Sequence, residues 1–199
     1  VYRPYIAEEV KCRIASNIET LNQMRRLQFL AERDFVSGMY NRRAFFEQAQ
    51  SRLARVRKKG GTASIAILDI DDFKKVTDTY GHDVGDQVIQ TAAKVIHNVL
   101  ARRNCLSAHF SGEEFVVLLS DMSNDEAVAV SEDLRKSLEQ AVILHDQTKL
   151  HITASIGVAV VQPDETLSNN LNAADQMLYM AKEKGHNRVC ADAEFYRAA

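Results

Sequence analysis

Thr62-Ala63-Ser64-Ile65-Ala66-Ile67-Leu68-Asp69-Ile70-Asp71-Asp72 is the stretch that decides the architecture. A short apolar run behind the Gly60-Gly61 pair reads as a buried strand. It ends in Asp69, Asp71 and Asp72, three carboxylates within four residues beside Ile65, Ile67 and Leu68. Such a cluster invites a counter-ion, or it is a solvated strand-to-loop turn. Upstream, Phe45, Ala49, Leu53 and Val56 follow helical spacing that stops at the glycine pair. Downstream, a loop or short helix passes through Gly81 and Gly85. Asp86 is expected to open a further helix with Ile89, Ala93, Ile96 and Leu100 inward.

The same alternation of strand and helix continues. Residues 106–110 and 115–119 are short apolar segments flanking Ser111-Gly112-Glu113-Glu114, the pattern of a hairpin with a tight acidic turn. Ser123 and Glu126 form a capping box for a helix to about Gln140. Residues 151–161 read as a strand. Residues 168–184 read as a helix with Leu171, Ala174, Leu178 and Ala181 on one face and Gly185 as its C-cap. Val189 begins a short last strand. This order predicts an α/β (α+β) sandwich on a mixed sheet flanked by helices.

Residues 1–33 differ. Ile6, Val10, Ile14, Ile18, Leu21, Met24, Leu27 and Leu30 recur at an average step near 3.4, close to the heptad value. The segment is expected to be a coiled-coil or stalk helix that pairs with a partner chain, or else a helix packed on its own domain. The chain is therefore divided into an N-terminal signalling helix, 1–33, and a domain, 34–199.

Composition narrows the function. The chain has 199 residues, 26% charged and 46% apolar, with a net charge of -2. Nothing in that balance points to nucleic acid, so any phosphate site must be built locally. Cys12, Cys105 and Cys190 are far apart and form no CxxC pair, which argues against zinc and for a reducing, cytoplasmic setting. No run approaches the ~18 apolar residues of a membrane span. Direct membrane insertion is not expected, although an upstream sensor or anchor could lie outside this chain.

Glu113 and Glu114 sit side by side at a turn, where like charges repel unless a cation lies between them. A strand ending in Asp69 and a hairpin tip bearing glutamates can converge at one sheet edge. Two or three carboxylates with a backbone carbonyl make a hard oxygen site suited to Mg²⁺ and phosphate oxygens. Two surface turns with unremarkable acids are the alternative.

In order along the chain, five blocks resemble one family, the GGDEF domains. Asp34-Phe-Val-Ser-Gly-Met-Tyr-Asn41-Arg42-Arg43-Ala-Phe45 is similar to D-x-L-T-G-L-x-N-R-R-x-F. Asp69-Ile-Asp-Asp-Phe73-Lys74-Lys-Val-Thr77-Asp78-Thr-Tyr-Gly81-His82-Asp-Val-Gly85-Asp86 is similar to D-I-D-x-F-K-x-I-N-D-x-x-G-H-x-x-G-D. Ser111-Gly112-Glu113-Glu114-Phe115 stands where GGDEF or GGEEF would. Ser155-Ile-Gly157-Val matches S-I-G-V. Ala174-Asp175, Tyr179, Ala181-Lys182 and Gly185-His186-Asn187 resemble A-D-x-A-L-Y-x-A-K-x-x-G-R-N.

The resemblance implies a palm-like domain related to class III nucleotide cyclases. It implies condensation of two GTP into cyclic di-GMP and two pyrophosphates, one GTP per subunit of a homodimer meeting through stalk helices and active-site faces. It implies a metal site, for Mg²⁺ or Mn²⁺, of Asp69, the Ile70 carbonyl and Glu113. Glu113 or Glu114 would activate the 3′-hydroxyl. Asp72, Phe73, Lys74 and Lys182 would cradle the triphosphate, and Thr77 and Asp86 would face guanine.

Five positions depart from the family pattern. Ser111 replaces the first glycine of the signature. Thr77 replaces an asparagine that contacts the base, and a hydroxyl lacks an amide's paired donor and acceptor. His186 replaces an arginine, and His109 replaces the arginine before the signature. The inhibitory R-x-x-D slot reads Arg102-Arg-Asn-Cys105, without its aspartate. Two readings stay open: an active diguanylate cyclase, or a degenerate domain that binds GTP or dimerises as a regulatory module.

Overall fold

The computed structural model describes residues 4–146 and 148–192, with side-chain surroundings from residue 9 onward. The ends of both expected domains, 1–3 and 193–199, and the side chain of Ile6 lie outside the described residues. The elements in chain order are α1 (Pro4–Glu32), α2 (Arg42–Lys58), β1 (Ala63–Ile70), α3 (Phe73–Tyr80), α4 (His82–Leu100), β2 (Cys105–Ser111) and β3 (Glu114–Ser120). They continue with α5 (Asn124–Glu139), β4 (Ile143–His145), β5 (Thr148–Leu150), β6 (Ala154–Val160), α6 (Leu167–Glu183) and β7 (Val189–Ala191). The chain separates into two compact units, Val1–Arg33 and Asp34–Ala199.

The first unit is α1. Val10, Ile14, Ile18, Leu21, Met24, Leu27 and Leu30 are between 48% and 67% exposed. No helix among the described residues is long and apolar enough to cross a membrane.

In the second unit, five strands form a mixed sheet in the order β2-β3-β1-β6-β7. β1 lies at its centre, antiparallel to β3 and β6, while β6 and β7 run parallel. Every residue of β1 is buried because helices cover both faces. Ala66, Leu68 and Ile70 face the core built with α4 and α5. Ile65 and Ile67 face the opposite core, built with α2 and α6. The period of two in a strand assigns each side chain to one layer.

Asn41 caps α2 by accepting the Ala44 N–H at 3.0 Å. The Ser123–Glu126 capping box forms at the start of α5. Gly185, at φ +104, follows α6, and the His186 N–H donates back to the Ala181 carbonyl.

Two elements differ from expectation. The helix expected from Asp86 begins at His82, and Gly85 lies inside it. Gly85 is needed for packing rather than for a loop, since a Cβ there would stand 2.7 Å from Thr77 Cγ2 and 3.3 Å from Phe73 Cζ of α3. The break falls at Gly81, at φ +88. β4 and β5 pair as a two-stranded antiparallel sheet, where the sequence predicts no strand.

Gly157 sits where α6 crosses β6. A Cβ on it would lie 2.1 Å from the Leu178 backbone nitrogen and 2.2 Å from the Ala174 carbonyl oxygen. Backbone cannot yield as a side chain does. Gly157→Ala is therefore expected to destabilise the domain by at least ~2 kcal/mol, measured by denaturant unfolding. An unchanged midpoint would refute this account of the α6–β6 contact.

Candidate active site

Asp69 has the same parity as Ile65 and Ile67, so its side chain points toward α6. There its Oδ2 meets Lys182 Nζ at 2.9 Å. The carboxylate is only 7% exposed. Burial is the largest influence on its proton affinity, and Glu113 and Glu114 push in the same direction while Lys182 opposes them. The net effect raises its pKa to about 6.

The signature hairpin lies alongside. Asp69 stands opposite Glu114 in the β1–β3 register. The Ile70 N–H donates to the Glu113 carbonyl at 3.2 Å. Gly112 takes φ +50 in the turn. The hydroxyl of Ser111 reaches Glu114 Oε2 at 3.3 Å, so the variant serine contacts one of the two glutamates. Three carboxylates and one ammonium thus share this edge of the sheet.

Asp72 starts α3 in the left-handed region, at φ +56, and makes no side-chain capping bond. Its carboxylate lies 2.7 Å from Lys75 Nζ instead. Lys75 is the main cause of a lowered Asp72 pKa. A helix N-terminus without a side-chain cap offers its N–H groups to an anion. Phe73 is half-buried at that start and Lys74 is exposed beside it. A cavity of about 420 Å³ adjoins Asp71, Asp72, Lys75 and Thr153. A second, of about 830 Å³, opens on α6 around Val160, Asn170 and Tyr179 and includes none of these acids.

Thr77 and Asp86 lie on α3 and α4. The Thr77 hydroxyl donates to the Lys74 carbonyl at 3.0 Å, and its methyl faces Gly85. Asp86 is exposed. Arg102 is exposed beyond the end of α4. Cys105 fills the aspartate position of that slot, and burial pushes its thiol up to about 11. A neutral thiol there cannot replace a carboxylate.

Asp71, one of the three clustered carboxylates, organises the loops. It is 7% exposed and accepts from Thr153 Oγ1 and Ser155 Oγ at 2.7 Å each and from the Asn187 N–H at 3.0 Å. The Asn187 side chain in turn donates to Glu139 at 2.7 Å and accepts from Arg135 at 2.7 Å. The available signal was parity, since Asp71 lies two residues beyond Asp69.

Among the described residues no three His, Cys, Asp or Glu side chains form a ready-made metal cage. The carboxylates of Asp69 and Glu113 with nearby backbone oxygen form an open set of hard donors. Asp69 is buried opposite Glu114, and the oxygen donors at this edge are of the hard type that a divalent cation takes. These residues therefore fit a divalent metal.

Residues 31–188 match the sequence profile of the family described as "Diguanylate cyclase, GGDEF domain". The chain belongs to the GGDEF family. It is 38% identical over 160 residues to diguanylate cyclase A of Treponema denticola, covering 78% of this chain and 43% of that protein. Among solved structures it resembles the coiled coil and GGDEF domain of DgcB from Caulobacter crescentus in complex with c-di-GMP. That match has a TM-score of 0.81 and 30% identity, and it covers 92% of this chain and 98% of the other. The active GGEEF domain of a diguanylate cyclase from Vibrio cholerae matches with a TM-score of 0.71 and 29% identity, covering 76% and 96%. The chain spans less than half the length of the curated relatives it matches, 43%, 35% and 44% for three of them. The expected mixed α/β architecture holds for this GGDEF domain.

Asp69 has a stability consequence. Its folded pKa, about 6, exceeds the ordinary 3.8, so the folded domain binds this proton more tightly than the unfolded chain. The ionised form therefore destabilises the fold, fully above pH 6 and not at all well below 3.8. Asp69→Asn is expected to raise unfolding free energy at pH 7.5 by up to ~2 kcal/mol, with a smaller gain at pH 5. Denaturant titrations at the two pH values check this. A loss at pH 7.5 would mean that the attraction of Lys182 outweighs burial.

Proposed function

We propose that this domain condenses two GTP molecules into cyclic di-GMP and two pyrophosphates, with Mg²⁺ or Mn²⁺ bound, as a homodimer. The reading rests on one observation above all: Asp69, buried at the end of β1, lies opposite Glu114 and in ion-pair contact with Lys182.

Asp69, the Ile70 carbonyl and Glu113 are the groups proposed to hold the metal. A bound divalent cation would polarise the α-phosphate and offset the charge that builds on it. The residues do the rest. Glu114, with Glu113, accepts the proton of the attacking 3′-hydroxyl. Backbone N–H groups at Asp72 and Phe73 receive phosphate oxygens, with Lys74 and Lys182 supplying positive charge. Lys182 neutralises Asp69 and is partly exposed, so it can serve both groups. Asp86, an acceptor, suits the donor edge of guanine.

Each domain holds one GTP, so the two bonds of the product require two domains face to face. The exposed apolar stripe of α1 suits pairing with a second copy as a signalling stalk, with the sensor upstream of this chain and GTP drawn from the cytoplasm.

One observation favours the second reading, a domain that binds GTP weakly and regulates or dimerises without turnover. The Thr77 hydroxyl is already used by the Lys74 carbonyl, which leaves the base with Asp86 as its main partner.

Incubating purified dimer with GTP and Mg²⁺ and analysing for cyclic di-GMP separates the two. Product is expected, and Glu113→Gln should lower it by at least ~100-fold. No product at high protein concentration, with GTP still bound, would establish the regulatory reading. Thr77→Asn should improve GTP affinity about tenfold if base contact is the weak link. Equal affinities by calorimetry would reject that explanation.

A further inference from the structure

The loop after α6 runs through three consecutive left-handed residues, Gly185, His186 and Asn187, at φ +104, +60 and +47. Glycine takes such a φ freely. The two residues after it do so only where their surroundings hold them. The Gly185 and His186 N–H groups donate to the Lys182 and Ala181 carbonyls at 3.0 and 3.2 Å, which closes the turn onto the end of α6. The Asn187 N–H donates to Asp71 Oδ2 at 3.0 Å.

The Asn187 side chain is held from α5. Its Nδ2 donates to Glu139 Oε1 at 2.7 Å, and its Oδ1 accepts from Arg135 Nη1 at 2.7 Å. Arg135 Nη1 also donates to Glu139 Oε2 at 3.0 Å, which closes a ring of three side chains. Arg135 Nε donates to Glu132 Oε2 at 2.9 Å, and the Arg135 side chain is 13% exposed. These bonds involve charged groups at short distance, the stronger kind of hydrogen bond. An amide suits the place between a cation and an anion because one end accepts while the other donates.

Asp71 carries the hold across to the other side of the site. Its carboxylate takes the Asn187 N–H together with the Thr153 and Ser155 hydroxyls. Its neighbour Asp72 is also left-handed, at φ +56, and opens α3 without a side-chain cap. One buried carboxylate therefore ties two strained bends together. One bend presents the N–H groups at the start of α3, and the other ends the helix that carries Lys182. Glu139 lines the same cavity as Asp71 and Asp72.

We propose that Arg135 and Glu139 are positioning residues that act through Asn187 and Asp71 to set the spacing between the start of α3 and the end of α6, and that this spacing governs the affinity for nucleotide phosphates. The inference rests on the reading of this edge as a GTP site. Neither α5 side chain serves as a phosphate ligand in this account.

Asn187→Asp is the sharpest test, because it keeps the size of the side chain and sets a carboxylate against Glu139, so that repulsion opens the ring. Adding Glu139→Gln rebuilds the ring with the roles exchanged, the amide now at position 139 and the carboxylate at position 187. Calorimetry of the full chain with Mg²⁺ and 3′-deoxy-GTP, which lacks the attacking hydroxyl, reads affinity apart from turnover. Asn187→Asp should bind about tenfold more weakly, and the double variant should return to within about threefold of wild type. Arg135→Lys, which keeps the charge but loses the planar fork, should weaken binding about threefold.

Denaturant unfolding identifies the folded variants. A folded Asn187→Asp that binds as tightly as wild type overturns the proposal, as does a double variant no tighter than the single one. If Asn187→Asp does not fold, undiminished binding by Arg135→Lys overturns it instead. In turnover, the loss should appear in KM for GTP with kcat within about threefold, and a loss confined to kcat overturns the assignment to affinity. If the wild type makes cyclic di-GMP and the variants match it, the inference fails and the cyclase reading stands. If no protein makes cyclic di-GMP while binding falls and recovers as stated, the cyclase reading fails and the positioning role stands. A wild type that binds no nucleotide overturns both.

Discussion

A charged group at the end of a strand covered on both faces is costly, and much of the domain is arranged around that cost. β1 has no solvent face, so Asp69 must find its partners inside the fold. Parity turns it toward α6, and Lys182 is the partner it meets. That meeting depends on how closely α6 lies against β6, which depends on the missing Cβ of Gly157. Beyond the strand, Asp71 on the same parity ties the β6 end and the loop after α6 to β1 through Thr153, Ser155 and Asn187. The ionised carboxylate stays mismatched all the same, since burial and the two glutamates keep its pKa near 6. A site of this kind stores a preference for a cation rather than stability, and function is what such a preference can serve.

Particular elements show where sequence carries information. β1, the β2–β3 hairpin, the α5 capping box and the α6 face were legible because each writes its signal locally, in an apolar run, a turn or a cap. The start of α4 was not. Gly85 reads as a helix breaker, yet its role is set by Thr77 and Phe73 on the neighbouring helix, a tertiary fact invisible to a local pattern. The β4–β5 hairpin is three residues per strand and largely exposed, too short for alternation to register. At the site, Asp69 and Glu114 were individually conspicuous. Their register as direct neighbours on adjacent strands had to come from the structure. The partners of Asn187 were hidden for the same reason, since Arg135 and Asp71 are far from it in sequence.

The departures from the family pattern do not fall at random. Thr77 and His186 are on the rim, where base and phosphate would be held, and neither touches the Asp69–Lys182 pair. Ser111 touches Glu114 but at 3.3 Å, a weak contact that leaves the carboxylate in place. His109 is the exception in being buried, with Asp34 and the Gly112 carbonyl beside its ring. Rim groups that grip substrate and transition state alike act on KM, whereas groups at the centre of developing charge act on kcat. Under the proposed cyclase reading, these departures leave the carboxylate edge in place and would reduce the grip on the nucleotide. A domain altered in this way would turn over well once filled and would fill only at high GTP, so its output would follow nucleotide concentration and the fraction of chains paired through α1.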